Sequence, residues 1–326
     1  MRYVEVGGVR VSAVGLGTWQ FGSREWGYGD RYASGVAAVL VERALDLGVN
    51  LIDTAEVYAF GRSERIVGEA IAGRRDEAFV ATKVFPVMPL APVVEQRARA
   101  SAKRLGIDVI DLYQLHWPNP VAPLRWAMDG MRRARDAGLV RHVGVSNCSL
   151  ARWQESERRL GGPVLSNQVQ FSLVARGPVR EMVPYAVREN KVVIAYSPLA
   201  QGLLSAKYDS QTSGGGRVKG SVRRANSLFT RENLERAVPL FAALREVAAV
   251  HDATPAQVAL AWVLHHPNVV VIPGASSLEQ LEHNVAAADL DLGEGDLARL
   301  GEAAVAFEPR PTIASVPSMV RGFFGG

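Results

Sequence analysis

Only one cysteine, Cys148, occurs in the 326 residues, so an internal disulfide is excluded and no cysteine cluster exists to hold a metal. No stretch approaches the ~20 consecutive apolar residues that a membrane-spanning helix needs. The start, MRYVEVGGVRVS, also has no apolar core of signal-peptide length. Charge of one sign is scarce too: 37 Lys and Arg against 33 Asp and Glu leave +4, scattered along the chain, which gives no footprint for nucleic acid. These absences lead to the expectation of a cytoplasmic protein with no membrane and no nucleic-acid partner. What remains is ordinary for a globular protein. At 48% hydrophobic and 21% charged, the chain can bury a large core, as two average domains or one α/β barrel.

The stretch that organises the rest is Leu51 to Tyr58, LIDTAEVY, where a short apolar run ends in an acid and, five residues later, a tyrosine. AFVATK ends a second run in Lys83, and DLYQLHW ends a third in His116. The strand ends read from the sequence are Gly17, Asp53, Lys83, His116, Ser146, Gln168, Tyr196 and Ile272, spaced by 22 to 36 residues except for a last interval of 76. Helix-length amphipathic segments fill the gaps: Gly35 to Leu47, one from Ser63, Pro92 to Leu105, Leu124 to Ala137, and Pro255 to about Leu264. Eight strands each followed by a helix, with no shift of composition between them, predict a (β/α)8 barrel over residues 1–326. Residues 1–12 read as a hairpin around Gly7-Gly8, a lid or plug outside the main sheet. Residues 210–226 are Gly/Ser-rich and basic without apolar periodicity, and residues 310–326 form a tail.

In a parallel barrel the strand ends share one rim, which would bring Asp53, Tyr58, Lys83 and His116 together. A lysine cation beside a phenol stabilises the phenolate and lowers its pKa, so Tyr58 can donate a proton to a carbonyl oxygen. Asp53 would hold Lys83 charged and aimed, while His116 orients the carbonyl by a hydrogen bond. With a hydride donor in reach this is carbonyl reduction. The Gly15-Gly17 pair invites a dinucleotide-fingerprint reading, but Gln20 stands where a third glycine is needed and the next strand-end acid follows Gly17 by 36 residues. Anion-binding signals come later, in YSPLAQGLL after the seventh strand and IPGASSLEQLEHN after the eighth, where barrels often bind phosphate.

Taken together, GLGTWQFG, LIDTAEVYAFGRSE, ATK, LYQLHWP, VGVSN, NQVQFSL, YSPLAQGLL and IPGAS resemble the aldo-keto reductase family in order and spacing over nearly the whole chain. The resemblance implies a metal-free barrel that binds a nicotinamide cofactor across the strand ends and reduces aldehydes or ketones, with Asp53, Tyr58, Lys83 and His116 as catalytic residues. It further implies that Gly17, Thr18, Trp19 and Asp53 meet the cofactor. Ser146, Asn147 and Gln168 would hold the carboxamide, and Tyr196 would stack on the ring. Ser197, Pro198, Leu199, Gln201, Gly202 and Leu204 would hold the pyrophosphate. Ile272, Gly274, Ala275, Ser276, Ser277, Gln280 and Asn284 would surround the adenosine end.

Gly274 and Gln280 replace a lysine and an arginine that some members use to bind the 2′-phosphate of NADP. The expectation is therefore NADP(H), with NAD(H) as the competitor, and Ser276, Ser277 and a loop arginine such as Arg217, Arg223 or Arg224 as substitutes for the missing cations. Trp19, Phe21, Trp26 and Trp117 are expected to line the substrate mouth, with Met319, Phe323 and Phe324 of the tail closing it. A monomer is favoured slightly. Two other classes compete. One is a cofactor-binding sensor with slow or no turnover. The other is a metal-dependent hydrolase on Asp53 and His116, which lacks convergent ligands, because His142 precedes a strand and the other four histidines lie at or after residue 251. Cys148, beside Asn147, is a candidate for redox sensitivity.

Overall fold

The structure, a computed structural model, describes residues 1–23, 35–208 and 221–310. Its centre is a sheet of eight parallel strands, each paired with the next in sequence: β3 (Leu16–Gly17), β4 (Leu51–Asp53), β5 (Phe79–Val84), β6 (Ile110–Leu115), β7 (Val140–Ser146), β8 (Val164–Gln170), β9 (Val192–Tyr196) and β10 (Val269–Val271). A parallel bridge between Val14 and Val271 joins the first strand to the last. Gly15 N–H donates to Val271 O at 2.8 Å and Gly17 N–H to Pro273 O at 3.2 Å, which closes the sheet on itself. The fold is a (β/α)8 barrel, as the regular strand spacing implied.

Outside the sheet lie α1 (Ala37–Asp46), α2 (Arg62–Ile71), α3 (Ala91–Leu105), α4 (Leu124–Asp136), α5 (Leu150–Leu160) and α6 (Pro178–Arg188). The long last interval holds α7 (Ser221–Arg224), α8 (Arg231–Arg236), α9 (Val238–Val250) and α10 (Pro255–Leu264), and the chain goes on through α11 (Leu278–Ala286) and α12 (Glu294–Ala306). Helix α10 starts where Thr254-Pro255 suggested, because Thr254 and Gln257 form a reciprocal capping box. Helix α2 begins one residue before Ser63 and carries Glu64 in its first turn; the Ser63 hydroxyl is buried against Thr18 and Thr54 at 2.8 and 3.0 Å. Within the basic stretch 210–226, residues 221–224 are helical, and the part before them lies outside the described residues. Among the described residues no single helix is long and apolar enough to cross a membrane.

The hairpin of β1 (Tyr3–Val6) and β2 (Val9–Ser12) turns through Gly7 and Gly8, both at positive φ (55° and 80°), as a two-residue turn requires. Its Val6 and Val11 join an apolar cluster with Leu51, Ala81, Leu112, Leu165 and Val192. The hairpin therefore plugs the amino end of the barrel. The period of two along a strand then decides what the other end holds. Two residues beyond Leu51 comes Asp53, two beyond Ala81 comes Lys83, and two and four beyond Leu112 come Gln114 and His116. The barrel interior thus has an apolar floor and a polar ceiling.

Candidate active site

At the ceiling, the ammonium of Lys83 is completely buried and donates to Asp53 Oδ1 (2.6 Å), Thr54 O (2.8 Å) and the Tyr58 hydroxyl (3.3 Å). Asp53 Oδ2 accepts from Gln168 Nε2 at 2.7 Å and from Gln114 Nε2 at 3.4 Å. The Asp53 backbone is held as well, since its carbonyl accepts from both the N–H (3.0 Å) and the hydroxyl (2.9 Å) of Thr18. The His116 ring stands edge-on to the Tyr58 ring with centroids 5.8 Å apart, and Trp19 tilts over Tyr58 at 6.5 Å. The four residues expected at the rim come together, Lys83 linking Asp53 to the Tyr58 hydroxyl and His116 standing against the Tyr58 ring.

Their protonation follows from burial and neighbours. Burial alone would discharge the Lys83 amine, but Asp53 and Tyr58 outweigh it and hold its pKa above the usual lysine value. Burial also pushes the Tyr58 phenol above its ordinary 10, opposed by Lys83 and reinforced by Asp53. The sequence-based expectation of a lowered phenol pKa is corrected here: the lysine pulls downward, and desolvation pulls harder. Burial, aided by Lys83, drives His116 well below 6.5, so its imidazole is neutral at physiological pH.

A cavity of about 2330 Å³ opens over this cluster. Gly17, Thr18, Trp19, Asp53, Tyr58, His116 and Trp117 line it on one side, and Ser146, Gln168 and Tyr196 lie across from them. Ser197, Pro198, Leu199, Gln201 and Gly202 border the cavity after β9, and Ile272, Gly274, Ser276, Gln280 and Asn284 after β10. The strap after β9 is a run of unusual backbone, with positive φ at Ser197 (48°), Ala200 (48°), Gln201 (58°) and Gly202 (99°). Such left-handed turns are where successive amides form anion-binding concavities.

Several expected residues sit elsewhere. Phe21 is fully buried in the hydrophobic core and does not face the mouth, because Trp19 takes the outward position of that loop. Leu204 is likewise fully buried in core packing. Ser277 is the N-cap of α11, its oxygen accepting from Gln280 N–H while its O–H stays available as a donor, and Ala275 is buried with its carbonyl accepting from Gln20 Nε2 at 3.3 Å. Asn147 stands behind Tyr196, accepting from its hydroxyl at 2.9 Å and donating to His116 O and Ser146 Oγ at 3.1 and 3.0 Å, so its amide is engaged within the protein. Cys148 is buried and its thiol is pushed up to about 12 by burial, which denies it the thiolate that oxidation requires. Trp26, Arg217, Met319, Phe323 and Phe324 lie outside the described residues.

Other contributors were not singled out. Gln20 is one: an atom added at Gly274 would stand 2.6 Å from its Nε2, so its amide fills the space a larger residue at 274 would enter. Asn226 Nδ2 holds the side-chain oxygen of Gln201 at 3.0 Å, and Arg223, one of the arginines expected as a substitute cation, donates from Nε to the Gln201 backbone oxygen at 2.9 Å. Glu64 is another, buried between Thr82 and Arg104. Only the glutamate carried a legible signal, a charge in the first turn of a helix beside the site. The reach of Gln20 and Asn226 depends on tertiary geometry.

The chain is similar to known proteins over most of its length. The model of the Aldo/keto reductase family matches residues 13–304. The chain is 55% identical over 322 residues to an uncharacterized oxidoreductase of Mycobacterium tuberculosis, covering 98% of each. Among solved structures it is similar to a thermostable aldo-keto reductase crystallised with an inhibitor (32% identity, TM-score 0.76, covering 93% of this chain and 100% of that one). It is also similar to an aldo-keto reductase of Klebsiella pneumoniae in complex with NADP and acetate (28% identity, TM-score 0.71, covering 95% and 96%). With the barrel, the plugged amino end and the rim cluster in place, the match over most of its length shows that this chain belongs to the aldo-keto reductase family of oxidoreductases.

Proposed function

We propose that this protein reduces aldehydes or ketones to alcohols, with Tyr58 as general acid and NADP(H) as the cofactor. The observation that carries the reading is the Tyr58 hydroxyl at 3.3 Å from a buried, Asp53-clamped ammonium. A carbonyl oxygen received by Tyr58 gains a proton as negative charge develops on it. Lys83 then stabilises the phenolate left behind, and the neutral His116 orients the oxygen as a hydrogen-bond donor.

The residues fit a nicotinamide dinucleotide. A cavity of about 2330 Å³ exceeds the roughly 300–1,000 Å³ of ordinary small-ligand pockets, leaving room for a cofactor and a substrate together. Gln168 commits its amide N–H to Asp53, which leaves its carbonyl oxygen for a carboxamide. Tyr196 would stack on the ring, Ser197 to Gly202 would hold the phosphates, and Gly274, Ser276, Gln280 and Asn284 would hold the adenosine end. When bound, the cofactor supplies a hydride to the carbonyl carbon. NADP(H) is favoured by the NADP complex of the Klebsiella relative. NAD(H) competes because Gly274 bears no cation and Gln280 turns its oxygen to the backbone and hydroxyl of Ser276, at 3.0 and 2.9 Å.

The test follows the loss of reduced-nicotinamide absorbance with NADPH and, separately, NADH over a panel of aldehydes, comparing the unaltered protein with Tyr58→Phe. Cofactor binding is read by tryptophan fluorescence. The expected result is turnover by the unaltered protein and a loss of about 10²–10⁴ in kcat for Tyr58→Phe with cofactor binding kept. Binding without turnover in both proteins would overturn the reductase reading in favour of a cofactor sensor.

A further inference from the structure

Directly after Tyr58 the backbone enters the left-handed region at three successive residues: Ala59 (φ 45°, ψ 43°), Phe60 (φ 54°, ψ 45°) and Gly61 (φ 78°, ψ 5°). Glycine accepts this geometry freely and asparagine tolerates it, whereas alanine and a bulky aromatic pay for it in strain. The turn is fixed by its surroundings. Phe60 N–H donates to Val57 O at 3.3 Å. On the other side the Arg104 side chain lies so close that an atom added at Gly61 would stand 2.6 Å from its Cδ, and Arg104 is itself tied to Glu64 and Ser101 at 2.5 and 3.0 Å.

The ring that this strained turn carries is not packed into the core of the described residues. Phe60 is 87% exposed, yet it lines the same cavity as Tyr58, Trp19, Trp117 and Phe85. An exposed phenyl on a left-handed residue is unfavourable on both counts, in strain and in hydration. It gains only when something apolar covers it. Phe60 follows Tyr58 by two residues, and two residues of chain span at most about 7 Å, so the turn that carries the ring is anchored beside the residue whose hydroxyl would receive the carbonyl, on the wall of the same cavity.

We propose that Phe60 is a specificity-determining residue that covers the distal apolar part of a carbonyl substrate, selecting extended aryl aldehydes and ketones over short ones; this rests on the reductase reading. A substrate held by its oxygen at Tyr58 passes the aromatic walls of Trp19 and Trp117 and meets Phe60 only if its body reaches a second ring. Small aldehydes end before that point and are indifferent to residue 60.

The experiment compares the unaltered protein, Phe60→Asn, which keeps the left-handed turn without strain, and Phe60→Tyr, which keeps the ring. Each is assayed with biphenyl-4-carbaldehyde and with propanal under saturating NADPH. The binding of biphenyl-4-methanol to the NADP-loaded protein is read in parallel by tryptophan quenching. For Phe60→Asn we expect kcat/KM on the biphenyl aldehyde to fall about tenfold through KM, equivalent to about 1.4 kcal/mol or about 60 Å² of ring taken out of water. Propanal should change less than about twofold, the alcohol Kd should rise by the same factor as KM, Phe60→Tyr should restore both, and the melting temperature of Phe60→Asn should not fall. Equal losses on both aldehydes, no loss on either, or a lower melting temperature would overturn the assignment. If the unaltered protein turns over neither aldehyde but binds the biphenyl alcohol in a Phe60-dependent way, the reductase reading fails and the role of Phe60 stands.

Discussion

Replacing Lys83 by methionine keeps the volume and removes the charge, and its consequences can be worked from the contacts. The ammonium is fully buried, and the carboxylate it clamps is 2% exposed. Without it, Asp53 is a buried charge left with two neutral amide donors, one of them at 3.4 Å. Breaking a buried pair from one side costs about 3–5 kcal/mol, so Lys83→Met should lose most of that in urea unfolding, with little change in m. Adding Asp53→Asn removes the stranded charge, and the double variant should recover most of the loss, because a neutral replacement of a buried pair is often near neutral. Carbonyl reduction should not recover. The phenol would have lost the cation that stabilises its conjugate base, and both variants should remain about 10²–10⁴ slower in single-turnover reduction. A Lys83→Met protein as stable as the unaltered one would refute the buried clamp. A double variant that regains reductase activity along with stability would refute the role given to the ammonium.

The pH dependence follows from the direction of two shifts. The Tyr58 pKa is raised, so the phenol keeps its proton through neutral pH, and reduction should decline only as pH climbs past about 10, while alcohol oxidation, which needs the phenolate, should rise over the same range. Because His116 is held neutral, kcat should show no limb near its ordinary 6.5, and a limb there that Tyr58→Phe leaves in place would contradict the burial of this ring. The placement of Phe21 is also testable. Phe21→Ala should cost about 3–5 kcal/mol in denaturant unfolding and leave KM for aromatic aldehydes unchanged, whereas a raised KM at full stability would return Phe21 to the mouth.

How much of this was legible in the sequence depended on whether the chain or the tertiary structure decides the feature. Strand ends were readable because an apolar run that stops at Asp53 or Tyr196 marks the point where the chain leaves the sheet, and β4 and β9 end at those residues. Helix ends were readable where glycine or a cap decides them, as at Gly106 after α3 and Thr254 before α10. Direction of facing was not readable in loops. Trp19 and Phe21 are both aromatic and two residues apart, but no strand period governs them, and one reached the cavity while the other entered the core. Ser277 read as a ligand for the adenosine end, and its cap bond from Gln280 N–H is a second role that only the folded helix start reveals, since the hydroxyl that accepts there keeps its own donor. The net sign of the Tyr58 shift escaped for a related reason: the lysine neighbour was visible in the chain, but the degree of desolvation was not.

The division of the barrel interior explains how so costly a cluster is sustained. Lys83 has three N–H donors, and all three are used, by Asp53, Thr54 and Tyr58. Asp53 is matched on both oxygens, by Gln168 from β8 on the far side of the barrel and Gln114 from β6, two strands away. A polar network closed in this way avoids the penalty of orphaned buried groups, and it has no loose member that must reorganise when a carbonyl arrives. Below it, the hairpin residues Val6 and Val11 seal the floor against Leu51, Ala81 and Leu112. The cluster opens instead toward the cavity, whose wall nearest Tyr58 includes Trp19, Trp117 and Phe60.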